Sequence, residues 1–393
     1  MSDDDDGVVV AGAGPAGSAT ALLLARAGVP VRIIERARFP RTKVCGEYLG
    51  AGAVDALARL GVLERVRAAA APLCGVRIVP AGAQTVTLPF ARPSLACARD
   101  VLDAILLDAA LAAGATLEHA RVEDVLRDGA RCAGVRVRTD DGALEERRAR
   151  IVVGADGAGS AVARKLGLAK PVRSRARYAV GGHYAGFGAF DAHVEMFAGE
   201  GAYFALNPLS RERANVMVVV PKQRLATWSR DVDAGMGGAA ARLARGVRTF
   251  ASARRIGPRV SVGPLAHDVV RAAVPGAVLV GDAAGFVDPF TGQGVFLALT
   301  GAERAAEAVV TALRGGERAA FDAYARWRAH ELARRRRLAS AVALLVDVPP
   351  LARRASARIA AFPEAAATLL DALAGTIPAQ RALRAGVLGR LLA

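Results

Sequence analysis

Four glycines, two aspartates and a glutamine fall within GDAAGFVDPFTGQG, the run from Gly281 to Gly294. An apolar stretch suited to a buried strand, Ala277 to Val280, precedes it, and an alanine-rich helical pattern from Val295 to about Leu313 follows. The run is therefore expected to be a strand end, a loop and a helix start. Gly281, Gly285, Gly292 and Gly294 let the backbone approach a flat ligand closely, and the free N–H groups of the helix start favour negative charge. Asp282, at the carboxyl end of the strand, is placed to accept hydrogen bonds from a polyol. A polyol joined to a flat ring that becomes anionic when reduced describes a flavin. The competing reading is a tight strand-to-helix connection that holds no ligand.

A second glycine run favours the ligand. Gly7 to Ala11 reads as a short valine-rich strand, followed by Gly12-Ala13-Gly14-Pro15-Ala16-Gly17, a helical pattern from Ser18 to Ala27, and a second strand from Val29 to Ile34 that ends in Glu35. Strand, GxGxxG, helix, strand and acid in that order are the dinucleotide-binding fingerprint in its required setting. Gly12 permits the turn, Gly14 the approach of a pyrophosphate, and Gly17 the close packing of helix on strand. Glu35 accepts from ribose hydroxyls, which argues against a phosphorylated ribose. These residues alone do not distinguish FAD from NAD.

The chain that must position these loops has 393 residues, 53% hydrophobic and 23% charged, enough for a large core shared by two domains. Its net charge of +16 attracts acidic surfaces. The basic residues are scattered, however, with few aromatics between them, so nucleic acid is not the expected partner. Cys45, Cys74, Cys97 and Cys132 show no CxxC spacing and no flanking histidine pair, so neither a disulfide framework nor a metal site is expected. The acidic start, Met1 to Asp6, runs straight into a strand, and apolar runs such as Leu338 to Val346 are too short to span a bilayer. A cytoplasmic protein, at most peripheral to a membrane, is the expectation.

Between the glycine runs, Arg38 to Tyr48 reads as an irregular loop broken by Pro40 and Gly46, and Ala51 to Leu60 as a helix. Val76 to Val79 and Thr85 to Leu88 form a hairpin across a turn at Pro80 to Gln84, as part of a second sheet. Arg99 to Ala113 is helical again. Val122 to Leu126, Cys132 to Thr139 and Leu144 to Val153 make a three-strand meander that runs into Gly154-Ala155-Asp156-Gly157-Ala158-Gly159-Ser160. Arg175 to Gly263 is the most strand-like segment, with alternating stretches at Arg177 to Gly182, His193 to Phe197, Tyr203 to Leu206 and Asn215 to Val220. Its residues Tyr178, Phe197, Tyr203 and Phe204 are read as an apolar substrate wall over the flavin, or else as ordinary core. Gly235, Gly237 and Gly238 read as a loop. From Ala325 to Ala393 there are 12 arginines against 4 acids, including Arg334 to Arg337. This region is a solvated helical cap, or a surface for docking on an anionic membrane or an acidic carrier protein.

The ordered set of GxGxxG, Arg99 with Leu102-Asp103, GADGAGS at 154 to 160 and GDAAGFVDPFTGQG resembles the FAD-dependent oxidoreductases of the p-hydroxybenzoate hydroxylase superfamily. Lys43-Val44-Cys45-Gly46-Glu47 and the wording Phe286-Val287-Asp288-Pro289-Phe290 look most like its geranylgeranyl reductase branch. The resemblance covers about 1 to 330. It implies that Gly12, Gly14, Ala16, Gly17, Glu35 and Arg36 hold the ADP half of FAD, and that Arg99 lies near the pyrophosphate or ribityl chain. It further implies that Asp156 contacts the cofactor, that Gly281 and Asp282 bind the ribityl, and that Pro289, Gly292, Gln293 and Gly294 lie against the isoalloxazine. No metal is implied. Prenyl-chain reductases of this branch carry an aromatic motif with Trp where this chain has Tyr203-Phe204-Ala205-Leu206-Asn207-Pro208. The WxWxIP signature of flavin halogenases is absent too, since the only tryptophans are Trp228 and Trp327.

The expected fold is α/β: a Rossmann-like FAD-binding domain of the GR2 type in three segments, 1–72, 96–172 and 263–330. A hairpin at 73–95 and an antiparallel β substrate domain at 173–262 are inserted, and a helical cap follows at 331–393. The expected function is FAD-dependent reduction of carbon-carbon double bonds in a lipophilic small molecule. The alternatives are an NAD(P)H-dependent flavin monooxygenase for an aromatic or polyketide-type substrate, and a flavin electron carrier without turnover at a membrane surface. No second GxGxxG follows a strand, so NAD(P)H is expected to visit transiently. Reduction needs an acid for the second carbon, and Cys45 is the candidate for a thiol near the flavin, acting as that acid or as a positioning group, with an inert buried cysteine as the competing reading. Lys43 and Glu47 either orient its loop or lie on the surface.

Overall fold

Val8–Ala11 is buried along its whole length, as befits a strand at the centre of a parallel sheet. It pairs in parallel with Val31–Glu35 on one side, Val8 opposite Val31, and with Ile151–Gly154 on the other, Val8 opposite Ile151. Ala277–Leu279 extends the parallel set beyond Ile151–Gly154, and Thr116–Asp128 extends it beyond Val31–Glu35. Arg131–Thr139 and Leu144–Arg148 continue one edge as an antiparallel meander, and Ala273–Val274 closes the other. Helix Pro15–Arg26 packs against both Arg99–Ala112 and Gly294–Thr311. The structure is a computed structural model and describes residues 7–80, 83–171, 177–199, 202–228, 231–243, 252–265 and 267–392. The acidic start, positions 81 and 82 of the hairpin turn, and the first residues of the segment from Arg175 lie outside the described residues.

This strand order decides where chemistry can occur. Ala277–Leu279, Ile151–Gly154 and Val8–Ala11 are adjacent and parallel, so the three glycine-containing loops that follow them open at the same edge. Ligands of open α/β sheets bind there, outside the carboxyl ends of the strands.

The second sheet runs Arg254–Arg255, Arg177–Ala185, Arg213–Pro221, Ala202–Pro208, His193–Gly199, Ala71–Pro80, Val86–Ala96, Tyr48–Leu49, with Val260–Val262 also on Arg177–Ala185. It is antiparallel except where His193–Gly199 lies parallel to Ala71–Pro80, because the hairpin arrives from a different part of the chain. Both faces are covered. Tyr203, Met217 and Val219 meet Leu338, Val342 and Ala372 of the C-terminal helices on one face. Phe197, Phe204, Val216 and Val218 lie under Trp228 and Met236 on the other. The sequence reading of Gly235, Gly237 and Gly238 as a loop is corrected here, for they lie in helix Val232–Leu243. Gly235 is there for space: a Cβ would come within 2.3 Å of the Trp228 ring.

After Gly294–Thr311 the chain is helical: Glu317–Asp347, Pro349–Ile359, Pro363–Ala374, Ala379–Ala382 and Ala385–Leu392. Among the described residues no helix is long and apolar enough to cross a membrane. Nor does any group of three or more His, Cys, Asp or Glu among them gather as a metal site.

Candidate active site

The Gly12 turn has φ +101°, and a Cβ there would come within 2.7 Å of the Ala155 carbonyl; a Cβ on Gly17 would lie 1.8 Å from the Gly12 carbonyl. Any side chain at either position would push the helix off the strands. Gly14 differs, because its nearest neighbour would be Arg41 Nη2 at 3.7 Å. That leaves room beside a helix start that no side chain caps, which is an anion site. The Glu35 carboxylate is fixed by two backbone donors, with Oε2 accepting from the Ala13 N–H at 2.9 Å and Oε1 from the Ala37 N–H at 2.9 Å.

Arg41 was not anticipated. Its guanidinium lies 3.4 Å from Asp103, 3.7 Å from Glu35 and 4.8 Å from the Phe39 ring centroid. Its Nε and Nη1 are buried without a hydrogen-bond partner. Two orphaned donors beside an uncapped helix start fit a pyrophosphate. Arg36, next to Glu35 in the chain, is exposed. Asp156 binds locally: Oδ2 accepts from the N–H groups of Ala161 and Val162, while Oδ1 is buried and unpartnered.

Asp282 is half-buried in the 3₁₀ turn Gly281–Ala284, and among the described residues no group donates to its carboxylate. Burial raises its pKa against the pull of Arg328, Arg99 and Lys43. Gln293, 2% exposed, has both Oε1 and Nε2 buried and unpartnered at the start of Gly294–Thr311. Pro289 opens a one-turn 3₁₀ helix, Pro289–Thr291, and Gly292 follows at φ +66° with Tyr48 packed where its Cβ would be. A carboxylate and an amide without protein partners, on a loop shaped by glycine, are what a polyol and a heteroaromatic ring require. The residues therefore fit FAD.

The helix Glu317–Asp347 holds this loop from behind. Arg328, 1% exposed, donates through Nη2 to the carbonyls of Gly281 at 2.8 Å and Gly285 at 3.2 Å. Arg336 reaches the carbonyls of Phe286 and His267, and Arg335 that of Ala372. Of the Arg334 to Arg337 run, Arg335 is thus buried and Arg336 half-buried, while Arg334 and Arg337 are exposed.

Cys45 lies on the other wall. Its thiol accepts from the Glu47 N–H at 3.3 Å, and burial raises its pKa although Arg99 and that N–H oppose the rise. It is therefore a thiol, not a thiolate, at neutral pH. Its neighbours touch the flavin loop: Val44 shares a cluster with Phe290 and Tyr203, and Tyr48 packs on Gly292. Glu47 is 3% exposed and so is not a surface residue. Arg99 is locked to Asp103 by two bonds of 2.7 and 2.8 Å. Burial opposes its charge, but the Asp103 carboxylate overrides that and holds its pKa above the usual range. Lys43 is pushed the other way, below the ordinary lysine value, by burial and by Arg41 and Arg99.

The four aromatics assigned to the substrate wall part company. Tyr203 stands on the inner face, 4.9 Å from Phe290 edge-to-face, and its hydroxyl donates to Asp288 at 3.3 Å. Phe197 and Phe204 turn to the outer face, 5.5 Å apart. Tyr178 packs its ring on Gly263. Phe204→Ala should therefore cost about 3–5 kcal/mol of stability and leave FAD content unchanged. Denaturation midpoint and flavin absorbance test this, and loss of flavin at full stability would place Phe204 at the cofactor instead.

The FAD binding domain family matches residues 5–337 of the chain. Digeranylgeranylglycerophospholipid reductase 1 of Methanopyrus kandleri is 33% identical over 324 residues, 78% of this chain and 80% of that one. Menaquinone reductase of Mycolicibacterium smegmatis is 33% identical over 327 residues, 76% and 75%. The 1H-pyrrole-2-carbonyl-(peptidyl-carrier protein) brominase of Pseudoalteromonas luteoviolacea is 26% identical over 332 residues, 81% of each. Among solved structures, the myxobacterial chondrochloren halogenase CndH superposes with a TM-score of 0.81 at 26% identity, covering 87% of this chain and 83% of that one. The glycine cradle, the match over most of the chain and the Lys43 to Glu47 element lead to one conclusion: the protein belongs to the FAD binding domain family and is an FAD-dependent oxidoreductase of its geranylgeranyl reductase-like branch.

Proposed function

We propose that the enzyme reduces carbon-carbon double bonds in a lipophilic small molecule, with NAD(P)H as a transient reductant. The observation that carries this reading is Cys45, a half-buried thiol held protonated beside the flavin loop. Hydrogenation needs such a proton donor. The 33% identity to two reductases whose names specify prenylated or quinone lipids supports the same direction. Bound and reduced, FAD would be the source of the hydride for one carbon of the double bond. Cys45 gives its proton to the other carbon. The resulting thiolate faces Arg99 and the Glu47 N–H, which stabilise it until it takes a proton back from water. Glu35 and Arg41 hold the ADP half, Asp282 the ribityl, and Gln293 with the helix start at Gly294 the ring. Tyr203 and Phe290 give the inner wall an apolar surface for a hydrocarbon chain.

The second reading is oxygen-dependent hydroxylation or halogenation, favoured by the likeness to a brominase over 81% of this chain and to the halogenase CndH over 87%. Oxygen separates the two. With an unsaturated lipid present, NADPH oxidation by the purified holoenzyme should continue at an unchanged rate when oxygen is removed. Arrest under nitrogen would favour the second reading. We place the enzyme in the cytoplasm, with a basic C-terminal surface that includes the exposed Arg353 and Arg354 available to an anionic membrane.

A further inference from the structure

Three polar residues stand side by side on the inner face of the second sheet. Asn215 pairs with His183 on one neighbouring strand and with Asn207 on the other. All three bind one short stretch of chain. Asn215 Nδ2 donates to the Cys45 carbonyl at 2.7 Å, and Asn207 Nδ2 to the Gly46 carbonyl at 2.9 Å. His183 Nε2 lies 2.8 Å from Glu47 Oε2.

The stretch they hold is under strain. Glu47 has φ +58°, a left-handed conformation that disfavours any residue with a Cβ. Its other contacts require that conformation together: its N–H donates to the Cys45 thiol, its carbonyl accepts from the Cys97 N–H at 3.0 Å, and Oε1 accepts from the Arg99 N–H at 2.9 Å. Asn207 and Asn215 are 3% and 4% exposed, and the Oδ1 of each is buried without a partner. A half-satisfied amide is a poor stabiliser, so a role other than stability explains two of them in one row.

We propose that His183, Asn207 and Asn215 are positioning residues: through Glu47 and the backbone of Cys45 and Gly46 they fix the thiol that protonates the substrate. The proposal rests on the reductase reading for its consequence, but the fixing of the thiol is a property of the protein alone. His183 also makes that hold sensitive to pH. It faces Glu47 from the loop, Asp100 from the helix Arg99–Ala112 and Arg213 from the neighbouring strand, and Arg254 and Arg255 lie on the strand at its other flank. The hydrogen bond to Glu47 outweighs partial burial and raises the histidine pKa above 6.5. The ion pair is therefore complete below the unfolded value of 6.5 and is lost as pH rises through the higher folded value. The thiol titrates separately, above its ordinary 9.0.

The test measures alkylation of Cys45 by iodoacetamide, followed by peptide mass, alongside kcat and KM. His183→Ala and, independently, Asn215→Ala should each speed Cys45 alkylation about tenfold and lower kcat about tenfold with KM little changed. His183→Gln keeps a neutral hydrogen bond, so it should retain slow alkylation at neutral pH but lose the step that accompanies the histidine titration in the wild-type pH profile, below the separate thiol titration. Alkylation rates and pH profiles identical to wild type in His183→Ala and Asn215→Ala, with the fold intact by circular dichroism, would overturn the proposal. If alkylation responds but no double bond is reduced by the wild type, the positioning stands and the reductase reading falls.

Discussion

Arg328→Met should purify with little or no bound flavin. The substitution keeps much of the side-chain volume but removes the donor shared by the Gly281 and Gly285 carbonyls, which are buried on the far side of the ribityl-binding turn. Burial pulls the pKa of Arg328 down and Tyr324 and Asp282 pull it back, yet a guanidinium stays charged in either case. Its loss takes a buried donor from both carbonyls and removes the cation that acts most strongly on Asp282. The expected cost is roughly 3–5 kcal/mol of stability and a loss of FAD affinity on the order of a hundredfold. Flavin-to-protein absorbance ratio and thermal midpoint, each with and without added FAD, measure both. A yellow variant of wild-type stability would show that the helix Glu317–Asp347 is a passive cover and not a brace.

Cys45→Ala should behave in the opposite way, yellow but slow. The side chain lies at the rim of the core, half-buried, with the Glu47 N–H and Arg99 as its polar neighbours, so the fold and FAD binding should persist without the sulfur. Loss of a positioned general acid should reduce product formation by about 10²–10⁴-fold, with substrate affinity nearly unchanged. Since burial holds the thiol pKa above 9.0, the thiol's own titration should lower the wild-type rate only at strongly alkaline pH, well above the step set by His183. The alanine variant should lack that alkaline limb. Unchanged turnover would remove Cys45 from the mechanism and leave the proton to another group.

The parts of this molecule that could be read from sequence are those where backbone geometry admits few residue types. Gly12 and Gly17 tolerate no Cβ, so their spacing announces a strand, a turn and a helix. The three glycine loops converge because their strands are neighbours, and a βαβ pattern implies that arrangement. Arg328 was illegible for the converse reason. It is one of 12 arginines in a helical tail, and nothing in periodicity separates an arginine that grips a loop carbonyl from one in solvent. The aromatic wall was half legible. Alternation puts Tyr203 and Phe204 on opposite faces, but both faces of this sheet are covered and apolar, so the pattern does not say which one looks at the flavin loop. The helix Val232–Leu243 was hidden by its glycines, one of which makes room for Trp228. Glu47 looked like a charge on a loop. Its burial depends on three strands brought from more than a hundred residues away, a contact no local pattern reports.

On the proposed reading this flavoprotein adds hydrogen to a double bond and does not insert oxygen or halogen. The most direct measurement is the mass of the product formed from a polyprenylated lipid by the FAD-loaded enzyme and NADPH in air-saturated buffer containing bromide and chloride. A gain of two hydrogens per modified bond, unchanged when oxygen is withheld, is the predicted result. A gain of oxygen, or of halogen in place of hydrogen, that disappears under nitrogen would contradict the account and move the enzyme to the chemistry of its halogenase relatives.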